Sequence, residues 1–266
     1  LVLADLFIES RMPAYLAERI VRHAPSTRSA MLVICLLAGV ISAFVENVAT
    51  VMIIAPIALA LAEKLKISPV SLLIAIAVSS NLQGAATLIG DPPSMLLAGF
   101  AKMNFMDFFF YKGRPSLFFA VQLGAAASLA NLAWLFRPHA RKVLLPLSEK
   151  IRSWFPTVLL AALIAALACS SFFDAEFSYL AGILCLITAG IGIALDMALH
   201  RNPFVDRIKN LDWDTTLFLA AVFVLVGSLT ATGWTETIAA AMSGLIGTNL
   251  GLGFGFLLAV SVFLSA

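Results

Sequence analysis

Ser79-Ser80-Asn81-Leu82-Gln83-Gly84-Ala85-Ala86-Thr87-Leu88-Ile89-Gly90-Asp91-Pro92-Pro93 interrupts two apolar runs, 70–78 and 95–101, with glycine, proline and hydrogen-bonding side chains. In a water-soluble chain this would read as a surface loop. The surroundings forbid that reading. The 266 residues are 61% hydrophobic and 12% charged, with a mean hydropathy of +1.00. Soluble chains carry about 25% charged residues, so an all-α polytopic membrane protein is expected, with little room for a soluble domain. Irregular backbone at membrane depth survives only where it is buried in protein or lines a cavity. An acid placed there, Asp91, marks a candidate ion or substrate site. The net charge of +2 gives no reason to expect a nucleic-acid partner.

Outward from this stretch, 115–136, 154–173, 179–199 and 213–231 each satisfy the roughly 20 apolar residues of a spanning helix. The segment 70–101 reads as one crossing broken in its middle. On its N-terminal side, 29–41 and 48–62 are apolar arms too short to span, joined by Ser42-Ala43-Phe44-Val45-Glu46-Asn47, which predicts a re-entrant hairpin over 29–62. The aromatic stretch 103–111 is expected in the membrane interface. Cys35, Cys169 and Cys185 lack pairing or metal-ligand spacing and read as core residues.

Lys and Arg in short loops set orientation. Arg137, Arg141, Lys142, Lys150 and Arg152 in one loop and Arg201, Arg207 and Lys209 in another are two helices apart, so both are read as cytoplasmic. The intervening turn holds Asp174 and Glu176 and no base. Counting back places both ends of the hairpin inside. It places Lys102, Lys112 and Arg114 outside, against the rule.

The apolar-break-apolar pattern of 2–12 recurs at 224–234, and 36–43 resembles 258–266, an offset of 222 to 223 residues. Five crossings lie between, an odd number, so the second copy is expected to be inverted. Charge agrees: 11–28 holds four arginines and 233–250 holds no Lys or Arg. The expected organisation is a partial first repeat over 1–136, loops and linking helices over 137–212, and the start of an inverted second repeat over 213–266. The chain reads as a piece cut at both ends. The repeat predicts Phe-apolar-acid-Asn just after Ala266.

Glu46 and Asn47 sit at the hairpin tip. A carboxylate at the bilayer centre is costly unless paired, hydrated or protonated. This makes Glu46 a cation ligand or proton carrier, with Asn47 and Thr50 contributing oxygens; the competing reading is a solvated turn residue. Ser42 caps the second arm or ligates an ion. Asp91, ahead of Pro92-Pro93, fits an N-cap for the second half-helix as well as a site role. Asn81, Gly84 and Thr87 would offer amide, backbone and hydroxyl groups to a cavity. Gln122 and Asn131 suit interhelical bonds, Asp196 the cytoplasmic interface, and His23, His139 and His200 basic loops; Asp5 is a weak transport candidate. No nucleophile–base–orienter motif appears, so an enzyme is not expected.

The motifs Ser-x-Phe-x-acid-Asn-Val-x-Thr-Val-x-x-x-x-Pro at 42–56, Asn-x-x-Gly-x-Ala-Thr-Leu-Ile-Gly-Asp-Pro-Pro at 81–93 and Met-Asn-Phe-x-Asp-Phe-Phe at 103–109 together resemble the ion transporter superfamily. That group holds citrate-transporter-like permeases, divalent anion:sodium symporters, arsenite permeases, sodium/proton antiporters and the pink-eyed dilution protein. Leu211-Asp212-Trp213-Asp214-Thr215-Thr216 looks like the opening of its second repeat. The resemblance implies a cytoplasmic re-entrant hairpin, an interrupted helix, an inverted second copy and a homodimer that moves cargo by an elevator motion. It places substrate contacts at Ser42, Asn47, Thr50, Asn81, Gly84 and Thr87. It places cation coupling at Glu46, Asn47, Gly90 and Asp91, with Na⁺ at Glu46, Asn47 and Asp91. Two positions depart from the pattern: the tip acid is Glu46 where Asp is common, and Ser94 stands where Asn is usual. The expected function is secondary active transport of a small anion coupled to Na⁺ or H⁺, with no other cofactor, in the plasma (inner) membrane. Na⁺/H⁺ antiport and an uncoupled anion channel of the same fold are the alternatives; a non-transporting scaffold would gain nothing from broken polar helices.

Overall fold

The computed structural model describes residues 2–65, 68–138, 151–173, 180–200, 209, 213–246 and 250–265. The chain divides into two units, Leu1–Leu211 and Asp212–Ala266. In the first, apolar composition and local breakers set the elements. Helix α1 (Val2–Glu9) stops at Ser10, whose Oγ donates to the Phe7 carbonyl at 2.6 Å and accepts from the Met12 N–H at 3.2 Å. Arg11 then takes a left-handed φ of 58°, and α2 (Met12–His23) restarts with a proline in its first turn, a position that needs no N–H. Ser26 caps α3 (Thr27–Ser42), accepting from the Ser29 N–H at 3.2 Å. Four residues later α4 (Asn47–Leu65) runs back, with Pro56 inside it.

The hairpin arms are longer than the sequence suggests. At 1.5 Å per residue, helices of 16 and 19 residues span about 24 and about 28 Å, close to the roughly 30 Å of hydrocarbon. Polar residues at the far ends, Thr27-Arg28 and Glu63, extend the helices past the apolar runs. Among the described residues both arms still fall with the shorter apolar helices, not with those long and apolar enough to cross a bilayer. At the tip Ala43 and Val45 are buried and Phe44 and Glu46 half-buried, so protein covers the turn.

Helix α5 (Val70–Gly84) and α6 (Pro92–Ala101) flank a non-helical link at 85–91, narrower than the break read from sequence. Ser79, Ser80, Asn81 and Gln83 are polar yet helical, because their side chains meet neighbouring helices. After α6 the chain makes a 3-10 turn at Met106–Phe108. A two-stranded hairpin follows, β1 (Phe110–Tyr111) on β2 (Arg114–Pro115), registered Phe110 to Pro115 and Tyr111 to Arg114. The interfacial expectation for 103–111 is half corrected. Met103, Phe105 and Phe108 are buried in the core, whereas Phe110 and Tyr111 are exposed.

Helices α7 (Leu117–Leu135), α8 (Phe155–Ser170) and α9 (Leu180–His200) complete the unit. One core joins α2, α3, α4 and α5 through Val21, Ile34, Ile54, Leu61 and Ile76; a second gathers Leu3, Leu6, Phe108, Leu163 and Leu167. Helices α7 and α9 are long and apolar enough to cross a bilayer, and their faces are largely unburied. Asp196 near the end of α9 is covered by protein. It is 3% exposed and lines a cleft with Leu6, Glu9 and Arg152, since its helix end packs on α1. Cys169 is exposed rather than core, Cys35 buried and Cys185 half-buried. His139, Arg141, Lys142, Lys150, Asp174, Glu176, Arg201 and Arg207 lie outside the described residues.

The second unit contains α10 (Trp213–Ala231), α11 (Trp234–Ile246) and α12 (Leu250–Ser265), with Gly233 at φ 77° between the first two and a 73° bend there. Its boundaries echo those of α1, α2 and α3. Glu9 and Ala231, Arg11 and Gly233, and Met12 and Trp234 are each 222 residues apart, and the starts of α3 and α12 are 223 apart.

Candidate functional site

Four helix ends meet where the 43–46 tip reaches the 85–91 break. The C-termini of α3 and α5 carry partial negative charge and the N-termini of α4 and α6 partial positive charge. The contacts form a directed chain. Buried Ser80 donates to the Ser42 Oγ at 2.9 Å, Ser42 donates to Asn47 Oδ1 at 2.6 Å, and Asn47 Nδ2 donates to Asn81 Oδ1 at 3.1 Å. Ser80 Oγ also lies 3.2 Å from the Asn47 carbonyl. The chain begins in the core, where Ser42 and Ser80 are fully buried, and ends at an exposed amide.

Close backbone approach explains the glycines. A Cβ on Gly84 would stand 2.2 Å from Asn47 Oδ1. A Cβ on Gly90 would stand 2.2 Å from the Gly84 carbonyl oxygen and 3.0 Å from that of Ala43. Two backbone carbonyls, one from the hairpin tip and one from the end of α5, thus converge beside Gly90. The Thr87 hydroxyl donates to the Ala43 carbonyl and ties break to tip.

The sequence-predicted residues separate into two groups. Ser42, Asn47, Asn81, Gly84, Thr87 and Gly90 come together. Glu46, Thr50 and Asp91 are engaged locally. One Glu46 oxygen accepts the Ala49 N–H at 2.9 Å and caps α4; Asp91 accepts the Ser94 N–H at 2.9 Å and caps α6. Buried Thr50 turns its hydroxyl toward the Val45 carbonyl, 3.5 Å away. Among the described residues no group of three His, Cys, Asp or Glu side chains could hold a metal ion, so the oxygens that converge here are mainly neutral ones.

Sequence reasoning missed Ser80 and Gln83. Ser80 starts the chain; its signal was a Ser-Ser-Asn run inside an apolar helix. Gln83 on α5 exchanges two hydrogen bonds with Gln122 on α7, at 3.1 and 2.9 Å, the interhelical role expected of Gln122. Asn131 is exposed on α7.

In this mainly helical, apolar chain a broken helix thus packs against a hairpin tip, and the junction is lined by amides, hydroxyls and carbonyls. A sequence profile described as citrate transporter matches residues 1–266, and the chain belongs to that family. It is 31% identical over 238 residues to an uncharacterized transporter of Mycobacterium tuberculosis, covering 87% of this chain and 54% of that protein. It is 31% identical over 244 residues to a 46 kDa membrane protein of Mycobacterium leprae, covering 89% and 55%. The P protein of Homo sapiens is 32% identical over 124 residues, 46% of this chain and 15% of that protein. The chain spans about half the length of the mycobacterial relatives it matches.

Proposed function

We propose that the chain forms one half of the transport site of a secondary active transporter that moves a small anion together with Na⁺. The observation that carries this reading is the convergence of the Ala43 and Gly84 carbonyls beside Gly90, next to the Asn47 amide. Carbonyls at the C-terminal ends of interrupted helices suit Na⁺. The N-terminus of α4 suits the anion, since its partial positive charge favours a negative ligand; α6 opens on Pro92-Pro93, and its first N–H, that of Ser94, is already taken by Asp91. Asn81, at the exposed end of the hydrogen-bonded chain, is the first side chain the anion meets. Ser42, Ser80 and Thr87 hold the tip against the break; Glu46, Thr50 and Asp91 fix the helix starts. An inverted second copy would supply the other half, in a homodimer of the inner membrane.

A second reading, Na⁺/H⁺ exchange, draws support from Glu46, a half-buried carboxylate at the tip. Counterflow by the full-length protein in proteoliposomes, with Na⁺ and pH gradients imposed separately, decides between them. Anion uptake driven by Na⁺ alone is the expected result. Asn47→Ala should weaken the Na⁺ dependence by roughly tenfold or more, the scale of losing a ligand or its support. Wild-type coupled flux in that variant would remove Asn47 from the site. Flux indifferent to both gradients would make the protein a conductance.

A further inference from the structure

The basic stretch that breaks the orientation rule, Lys102 to Arg114, is left unused by the transport site. It begins where α6 ends and stops three residues before α7 starts, so it joins α6 to the spanning-length helix α7. Its hairpin turns on Lys112 at φ 50° and Gly113 at φ 75°, a tight turn with both central residues left-handed. The hairpin is braced from within. Phe110 packs on Phe119 at 5.4 Å, Phe119 on Phe118 at 5.5 Å, Phe118 on Phe109 at 4.6 Å and Phe109 on Phe105 at 5.7 Å, ending in the core.

What this rigid finger presents outward is cationic and aromatic. Lys102, Lys112 and Arg114 are exposed, as are Phe110 and Tyr111. The Lys112 ammonium lies 5.1 Å from the centre of the Tyr111 ring, and Arg114 is the strand partner of Tyr111. The one acid of the stretch, Asp107, is taken up locally: its Oδ2 accepts the Asn104 N–H at 2.8 Å and its N–H donates to Asn104 Oδ1 at 3.0 Å. The three bases therefore face outward without a carboxylate among them.

We propose that the 110–115 hairpin is a clamp for the headgroup of an anionic phospholipid. Arg114 offers a planar fork to the phosphate, Lys112 offers a point charge, and Phe110 and Tyr111 sit at the acyl boundary. This reading is independent of the ion site; it needs only that the protein lies in a bilayer. It also explains why these bases break the orientation rule: they serve lipid binding at whichever leaflet they face.

The test is native mass spectrometry of the full-length protein released from nanodiscs of equimolar phosphatidylglycerol and phosphatidylcholine. Phosphatidylglycerol should be retained preferentially. Lys112→Gln with Arg114→Gln should weaken retention about fivefold per charge, roughly twenty-five-fold together, while Arg137→Gln, at the other end of α7, should leave it unchanged. Phosphatidylglycerol retention at the wild-type level in the double variant overturns the proposal. So does displacement of the lipid by inorganic phosphate, which would make the patch a solute site. If the double variant does not fold, the wild type still decides: retention must fall with added salt, and salt-insensitive retention overturns the clamp.

Discussion

Asn47 and Asp91 show how differently two polar residues of one site are used. Asn47 spends both amide atoms across elements, accepting from Ser42 on α3 and donating to Asn81 on α5, and it fits only because position 84 has no Cβ. Asp91 spends its carboxylate on its own helix, accepting the Ser94 N–H from an extended backbone at φ −148°, ψ 161°. Asn caps nearly as well as Asp, and Ala does not. Asp91→Asn should thus keep the stability of the full-length protein within about 0.5 kcal/mol, and Asp91→Ala should lower it by about 1 kcal/mol, read from thermal unfolding in detergent. Na⁺ dependence should survive Asp91→Asn. Its loss at unchanged stability would give the carboxylate the ion instead.

Helices α5 and α7 are joined by one reciprocal amide pair, Gln83 with Gln122. The backbone of α3 comes so close at Gly39 that a Cβ there would meet Gln83 Cγ at 2.9 Å. The pair therefore seats the end of α5, whose last residue Gly84 touches Asn47. Interhelical hydrogen bonds in membranes average about 0.6 kcal/mol and reach about 1.7. Gln122→Leu should cost about 1 kcal/mol by leaving the buried Gln83 amide unpaired, and adding Gln83→Leu should recover part of it. A double-mutant cycle with no coupling would show that the contact does not fix α5. The same elements mark where sequence was legible. Glycines and prolines located the break, and an acid–Asn pair between apolar arms located the tip. The extent of the break was misread because composition does not say which way Ser79, Ser80 and Gln83 face; packed against α3, α4 and α7, they stay helical. The β-hairpin left only Gly113 as a signal, because Lys112 holds the first left-handed position, where Asn or Gly would announce the turn.

Over the whole chain, the boundary correspondence between α1–α2–α3 and α10–α11–α12 is a backbone pattern, stronger than the few residue identities that suggested it. A left-handed residue, Arg11 or Gly233, marks the same break in each set. Only glycine takes that conformation freely, so the shared geometry at an arginine argues that the break is kept for the fold. Whether the second set is inverted is a matter of sidedness. Pro25, between α2 and α3, is exposed, and the residue 223 positions on is Thr248. In full-length protein with Cys35, Cys169 and Cys185 replaced, Pro25→Cys and Thr248→Cys should react with an impermeant thiol reagent from opposite faces of sealed vesicles. Gly113→Cys and Pro138→Cys, on either side of α7, calibrate the assay, because its 19 residues at 1.5 Å each reach across about 28 Å of the hydrocarbon core. Labelling of Pro25→Cys and Thr248→Cys from one face would make the two sets parallel. A parallel second copy would bring its helix ends in with the same polarity, and the convergence of opposite helix ends around one ion would then have to be completed within the first unit.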